Sequence, residues 1–410
     1  MLRLLSGEAA RRFGGRAAVV TGSARLSFAA LDRLSDQVAA ALAHRGVRIG
    51  DLVALALPDG PEFVICYVAA AKIGAVTAGV GTAGLGTAGV ATGRAGLPAA
   101  LDPALVVTAP GVLPPAAGLD VVTLPLDPAG RGHGERGEYG EYDPARLHGL
   151  RRAEPPPPPF PPDPGRPVVI TYTSGRTGPP KGVLFGDRQL EAIRAHGAGL
   201  RWGTGDARLV PHPLGQLGFA TRLPVFLQTG RTCHVMPEWS PEAALRVTRE
   251  HGIRVLQGSP YQLEAILACG EDLPGLALIL SSGAPARPEL IRELRGRYGV
   301  PVCNRYICTE AGLGLGTRPE DPPEDAETTV GRPRGGVTVS VRDARGRVLP
   351  PGEPGEVLLR SDAVMSGYVG RNGPDHAAFA RDGFIRTGDR GYIDHTGRLH
   401  LVGLFDRGPA

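Results

Sequence analysis

Lysine is nearly absent from this 410-residue chain: of 45 basic residues only Lys72 and Lys181 are lysines, and the rest are arginines. Aromatics make up only 5%, with two tryptophans. The arginine skew, together with 60 glycines and 40 prolines, reads as a GC-rich coding bias, so arginine abundance alone says little about recognition. A net charge of +4 is too small for this length to argue for nucleic acid or an anionic membrane. Long apolar runs are missing too. No stretch reaches the ~18 residues of a membrane-spanning helix. The opening Met-Leu-Arg-Leu-Leu-Ser-Gly-Glu is too short in its apolar run for a secretory leader. Five cysteines, Cys66, Cys233, Cys269, Cys303 and Cys308, form no Cys-x-x-Cys pair or metal-ligand spacing. An odd count without a leader predicts reduced thiols and a cytoplasmic protein. Small buried hydrophobes are the favoured role for them.

What remains is the composition of a soluble globular protein, 42% hydrophobic and 21% charged, long enough for two or three packed units. Residues 27–45 start at a Ser cap and place Leu31, Leu34, Val38, Ala39 and Leu42 at helical spacing. Gly46 ends that helix, Leu52–Leu57 reads as a buried strand, and 61–74 as a second helix stopped by Gly74. This order predicts an α/β layer with a largely parallel sheet. Helices at 188–199, 241–251 and 287–297 alternating with strands at 231–236, 253–257 and 276–281 predict a second layer. From 327 short strands with Gly and Pro turns (337–341, 355–360) predict a small β-rich unit. The expected partition is 1–165, 166–326 and 327–403, with 404–410 as a stub.

Several glycine-rich stretches are decoys. Gly-x-Gly-x-x-Gly occurs at 79–84, 84–89 and 132–137. A dinucleotide fingerprint needs a preceding strand, a following helix and an acid about 20 residues on. The first pair follows an expected helix, and the third sits in a polar loop. Residues 127–167, with Pro155–Pro159, are expected to run extended over the surface as a linker.

Residues 169–183, Val-Ile-Thr-Tyr-Thr-Ser-Gly-Arg-Thr-Gly-Pro-Pro-Lys-Gly-Val, carry the chemistry most plainly. An apolar strand enters a turn holding Thr173, Ser174, Gly175, Arg176, Thr177, Gly178 and Lys181. Glycines allow close backbone approach, hydroxyls and N–H groups donate to phosphate oxygens, and the lysine adds a point charge. The spacing is not that of a Walker A loop. It closely resembles the phosphate-binding motif of the AMP-forming adenylating enzymes: acyl-CoA synthetases, luciferases and peptide-synthetase adenylation domains. That family usually has Ser or Thr where this chain has Arg176.

Further motifs follow in the family's order. Ser281-Ser282-Gly283-Ala284-Pro285 resembles a Gly-Gly-Ala-Pro turn whose backbone abuts adenine and one wall of the acyl pocket. Asn304-Arg305-Tyr306-Ile307-Cys308-Thr309-Glu310 resembles Tyr-Gly-x-Thr-Glu, with Ile307 in place of Gly. An aromatic ring offers adenine a stacking face, a hydroxyl reaches an α-phosphate, and a carboxylate is a hard ligand for Mg²⁺ on the phosphates. The resemblance therefore implies Arg305 and Tyr306 on the nucleotide, Thr309 in catalysis, and Glu310 as catalytic residue and metal ligand. Arg386-Thr387-Gly388-Asp389 matches one of the family's most specific motifs. It implies Asp389 on the ribose hydroxyls and Arg386 in the catalytic set. Pro211–Gly218 sits where the family places its substrate-side motif, implying His212, Gly215, Gln216, Gly283 and Ile307 around the acid. Amino-acid-activating members carry an Asp there for the buried ammonium; its absence favours an aryl, enoyl or fatty acid.

The resemblance thus implies an acyl-CoA synthetase-like large domain, two α/β subdomains and a small barrel-like one. It would use ATP and Mg²⁺ to form an acyl-adenylate for CoA or a phosphopantetheine carrier protein. Gly403-Leu404-Phe405-Asp406 resembles the hinge to a lid domain, with Leu404 in place of Arg, and no lysine follows Lys181. The lid lysine is therefore expected to be missing, which predicts slow adenylation alone or a separate lid partner. The alternative is a degenerate member that binds nucleotide or acyl-adenylate without turnover.

Overall fold

The structure, a computed structural model, describes residues 1–22, 24–80, 101–113, 118–126, 140–174, 179–203, 205–370 and 373–405. The helical signals are realised locally. Ser27 caps Phe28–His44, its hydroxyl accepting from the Ala30 N–H at 3.2 Å, and Leu31, Leu34, Val38 and Leu42 are all buried. Each such leucine contributes about 1.5–3 kcal/mol by leaving water. Pro61–Lys72 begins on proline, where no N–H is needed, and buries nearly every residue. It is a core helix, apolar on all sides. Lys72 at its end is also buried, with Nζ 2.7 Å from Asp32 Oδ1 and 2.8 Å from Asp36 Oδ1. One of the two lysines is thereby committed to the core.

The chain divides into two compact units: Met1–Asp206 with Val210–Glu238 and Met365–Asp375, and Ala207–Leu209 with Trp239–Val364 and His376–Ala410. The first holds a seven-stranded sheet in the order Gly367–Tyr368, Gly182–Gly186, Pro167–Tyr172, Val76–Gly79, Leu52–Ala56, Leu105–Thr108, Val121–Thr123. The last five run parallel, and the first two are antiparallel additions. The expected parallel layer is present. Strand Val76–Gly79 corrects one reading: the glycine motif at 79–84 follows a strand, because the chain reverses at Gly74 directly after the helix. The rest of that motif, and those at 84–89 and 132–137, lie outside the described residues.

The stretch read as a surface linker is in part structural. Gly140–Glu141 pairs with Ala24 and Arg25, and Leu147 and Leu150 are fully buried. Alternating charge and proline masked these isolated anchors.

The second unit holds a sheet in which Val255–Gly258, Leu278–Ser282 and Val302–Tyr306 run parallel, with Leu315–Gly316 and Arg332–Pro333 antiparallel at its edge. Helices Pro260–Ala268 and Pro288–Tyr298 connect the parallel strands. The β-rich region is an open four-stranded antiparallel sheet, Thr338–Arg342, Gly355–Arg360, Ile385–Ile393 and Leu399–Leu404. No closed barrel forms among the described residues, which corrects the barrel-like expectation. These units cut across the three sequence blocks. The strand at 167 continues the first unit's sheet, and Gly367–Tyr368 also joins it.

Candidate active site

The lysine-bearing turn of the first unit is the loop of a β-hairpin. Pro167–Tyr172 and Gly182–Gly186 pair antiparallel, with Tyr172 opposite Gly182. At the loop's mouth the Thr173 N–H donates to the Lys181 carbonyl at 3.0 Å, and the Lys181 N–H donates to Thr173 Oγ1 at 2.9 Å. Thr173 is therefore a staple that fixes where Lys181 leaves the sheet. Ser174 and Lys181 are exposed. The Lys181 ammonium lies 4.8 Å from the centroid of the Tyr368 ring. Tyr368 stands on the added strand, opposite Val183. A cation above a π face is attracted to the ring's negative quadrupole, so Tyr368 orients the lysine. Gly175, Arg176, Thr177 and Gly178 lie outside the described residues.

A second group of implied residues gathers in the second unit, at the carboxyl ends of its parallel strands, the usual ligand side of such sheets. Strand Leu278–Ser282 runs beside Val302–Tyr306 with Ser282 opposite Arg305. The turn Gly283, Ala284, Pro285 that follows is exposed. Gly283 takes φ +88, a conformation glycine adopts without a Cβ clash. Tyr306 is buried, and its hydroxyl donates to Asp389 Oδ2 at 2.6 Å across 83 residues of sequence. Burial, then the neighbouring Cys308 and Asp389, holds the Tyr306 phenol well above its ordinary pKa, so it stays a donor. Asp389 is only 6% exposed. Its backbone is set by Thr387, whose hydroxyl donates to the Val357 carbonyl at 2.8 Å and accepts from the Asp389 N–H at 3.1 Å.

Thr309 and Glu310 follow on a short 3-10 turn that packs against the strand carrying Asp389. Ile307 is half-buried beside Tyr306. Two implied residues are engaged elsewhere. Arg305 folds over Gly316 and donates to the Thr317 carbonyl. Successive strand residues face opposite sides, so Arg305 points away from the Tyr306 ring. Arg386 donates to Glu356 Oε2 at 2.9 Å, and Glu356 is 2% exposed. A buried carboxylate needs such a partner. Among the described residues no three His, Cys, Asp or Glu side chains converge as metal ligands. The Glu310 carboxylate is a hard oxygen donor of the kind Mg²⁺ takes alongside phosphate oxygens.

His212, Gly215 and Gln216 sit in the first unit, on a turn closed by the Gln216 N–H donating to the Pro213 carbonyl at 3.0 Å. Burial pulls the His212 imidazole below its ordinary pKa, favouring the neutral ring. Asp59, which no sequence motif marked, reaches this turn: the Leu214 N–H donates to its Oδ1 at 2.9 Å. The pairing joins residues 155 apart in sequence, so no local pattern signals it.

The chain is similar to known proteins over most of its length. The chain is 31% identical over 413 residues to a salicyl-AMP ligase / salicyl-S-ArCP synthetase of Mycobacterium tuberculosis, covering 97% of this chain and 71% of that protein. It is 31% identical over 252 residues to a sulfoacetate–CoA ligase of Cupriavidus necator, covering 59% of this chain and 48% of that one. The aligned region thus spans about half of the second relative. In fold it is similar to the N-terminal domain of FACL13 from Mycobacterium tuberculosis, with a TM-score of 0.79 at 23% identity, covering 98% of this chain and 99% of that one. The profile described as AMP-binding enzyme matches residues 7–369. The chain belongs to the AMP-binding enzyme family.

Proposed function

We propose that the protein activates a carboxylic acid (aryl, enoyl or fatty, not an α-amino acid) as an acyl-adenylate, for transfer to the thiol of CoA or of a carrier protein. In the first step a carboxylate oxygen of the acid attacks the α-phosphorus of ATP. The bond from that phosphorus to the bridging oxygen breaks, and pyrophosphate leaves with the electron pair. Catalysis of such a step is largely positioning and charge stabilisation. Lys181 and the hairpin loop take the phosphate oxygens. Tyr306 offers the base a face, Asp389 accepts from the ribose hydroxyls, and Thr309 donates to the α-phosphate. Glu310 would hold Mg²⁺ together with the phosphates, and that ion would neutralise charge on the leaving group.

The observation that carries the reading is the Tyr306–Asp389 hydrogen bond. It pairs a ring able to stack on a base with a carboxylate able to accept from ribose hydroxyls, beside the carboxyl end of strand Val302–Tyr306. Support for a non-amino acid comes from the turn Pro211–Gly218, which holds no carboxylate of its own. Asp59, brought to it by the fold, accepts from the Leu214 N–H through Oδ1. Relatives named as ligases to a carrier protein and to CoA support thiol transfer.

Exchange of labelled pyrophosphate into ATP, with CoA omitted, tests this across salicylate, benzoate, 4-coumarate, octanoate, sulfoacetate and several amino acids. Exchange above background is expected with at least one non-amino acid. Exchange with amino acids alone would contradict the substrate class. Nucleotide binding without exchange for any acid would favour a binding protein over an enzyme.

A further inference from the structure

The turn assigned to the acid, with the short helix that continues it, is tethered within the first unit at three points. Just past the turn, the Ala220 carbonyl at the end of helix Leu217–Ala220 accepts from the Tyr67 hydroxyl on helix Pro61–Lys72 at 2.9 Å, and both groups are buried. At the end of strand Val76–Gly79, Gly79 and Gly215 meet backbone to backbone. A Cβ on Gly79 would lie 2.5 Å from the Gly215 Cα, and one on Gly215 3.0 Å from the Gly79 Cα. The third tether is the Asp59 carboxylate on the Leu214 N–H. Leu214 itself is fully buried, so its amide has no easy exchange for water. Asp59 has no part in the chemistry described above, yet it is a carboxylate held where burial penalises its charge, with a pKa pushed up to about 6.

We propose that Asp59 is a positioning residue for the carboxylic acid. By fixing the Leu214 amide it sets where Gly215 and Gln216 stand, and so governs acid affinity without touching the phosphoryl chemistry. This rests on the assignment of the turn to the acid. The Gly79–Gly215 contact leaves the turn no room to move toward the sheet. Loss of the Asp59 tether therefore frees it only on the side away from that contact.

The test pairs kinetics with hydrogen exchange. With the best acid from the exchange panel, Asp59→Ala should raise the acid KM about tenfold, the effect of stranding one buried donor. The KM for ATP and the maximal rate should change by less than about twofold, since neither depends on the turn. Asp59→Asn, whose amide oxygen still accepts, should keep the acid KM within about threefold of the original. Should Asp59→Ala not fold, Asp59→Ser, too short to reach Leu214, replaces it. Independently of any activity, mass-spectrometric amide exchange over 210–220 should be faster in Asp59→Ala and slow in Asp59→Asn. An unchanged acid KM, an equal rise in the KM for ATP, or unaltered exchange at Leu214 would each overturn the proposal. If no acid supports pyrophosphate exchange in the original protein, the function reading fails. The amide-exchange result then still decides whether Asp59 holds the turn.

Discussion

The hairpin of the first unit that carries Lys181 leaves its cation in solvent, whereas the Tyr306–Asp389 cluster of the second is closed by side chains and buries them. In the hairpin, Thr173 and Lys181 are stitched by one main-chain bond and one bond to the Thr173 hydroxyl, and Lys181 touches only the face of Tyr368 among its described ring contacts. In the cluster, Tyr306 and Asp389 fix one another at 2.6 Å with both nearly inaccessible. An exposed cation on a stapled loop can follow phosphates that change during the reaction. A buried ring and carboxylate suit the base and ribose, which stay constant. Mutations should therefore separate: chemistry without stability in the hairpin, binding and stability together in the cluster.

The largest expected effect is from Lys181→Ala. By analogy with removing one group that stabilises transition-state charge, pyrophosphate exchange should fall by about 10²–10³, with a melting temperature close to the original. Lys72 gives the counter-experiment. Lys72→Met removes the ammonium that Asp32 and Asp36 share beside a core helix and should cost about 1–3 kcal/mol of stability in denaturant titration, since both carboxylates keep some solvent and Asp32 keeps the Ser6 hydroxyl. Comparable loss of stability from both variants would erase the distinction between the two lysines.

Next is Tyr306→Phe, which keeps the ring and removes the proton given to Asp389. Leaving a buried carboxylate without that donor should cost about 1–3 kcal/mol, read both as weaker ATP binding by calorimetry and as a lower denaturation midpoint. A loss in one readout alone would break the claim that binding and stability are joined there.

Asp59→Asn tests the buried charge of the first unit. Because the pKa of Asp59 is raised from 3.8 to about 6, the folded state holds this proton more tightly than the unfolded chain. That contribution is present below about pH 4 and is lost as pH rises through 6. Asp59→Asn should then be the more stable protein at pH 8, by at most about 2–3 kcal/mol, with the gain gone near pH 4. The smallest effect belongs to Tyr368→Leu. Removing the cation–π contact between the exposed lysine and the buried ring, worth about 0.5–1 kcal/mol, should slow exchange about two- to fivefold, while Tyr368→Phe retains it.

The same contrast governs what the sequence disclosed. The hairpin loop is contiguous, so its hydroxyls, glycines and lysine announce a phosphate site without a fold. Helices such as Phe28–His44 were equally plain, since cap, apolar spacing and stop all lie within twenty residues. Short strands such as Val76–Gly79 were not, because four residues carry too little alternation to register. Tyr306 and Asp389 were each implied by a local motif, but their mutual hydrogen bond exists only after two sheets have packed. Motif position implies Arg305 and Arg386 at the ligand, but only the fold shows that their guanidinium groups meet the Thr317 carbonyl and the buried Glu356. Asp59 gave no signal at all, and its meaning comes entirely from the amide it meets.

Titration of ATP with Mg²⁺ into the protein and into Lys181→Ala and Asp389→Ala, followed by calorimetry, tests the central claim most directly. Saturable heat is expected for the original protein, with clear weakening from the loss of either side chain. Absence of heat from the original protein, or equal affinity in all three, would contradict the assignment of phosphates to Lys181 and ribose to Asp389.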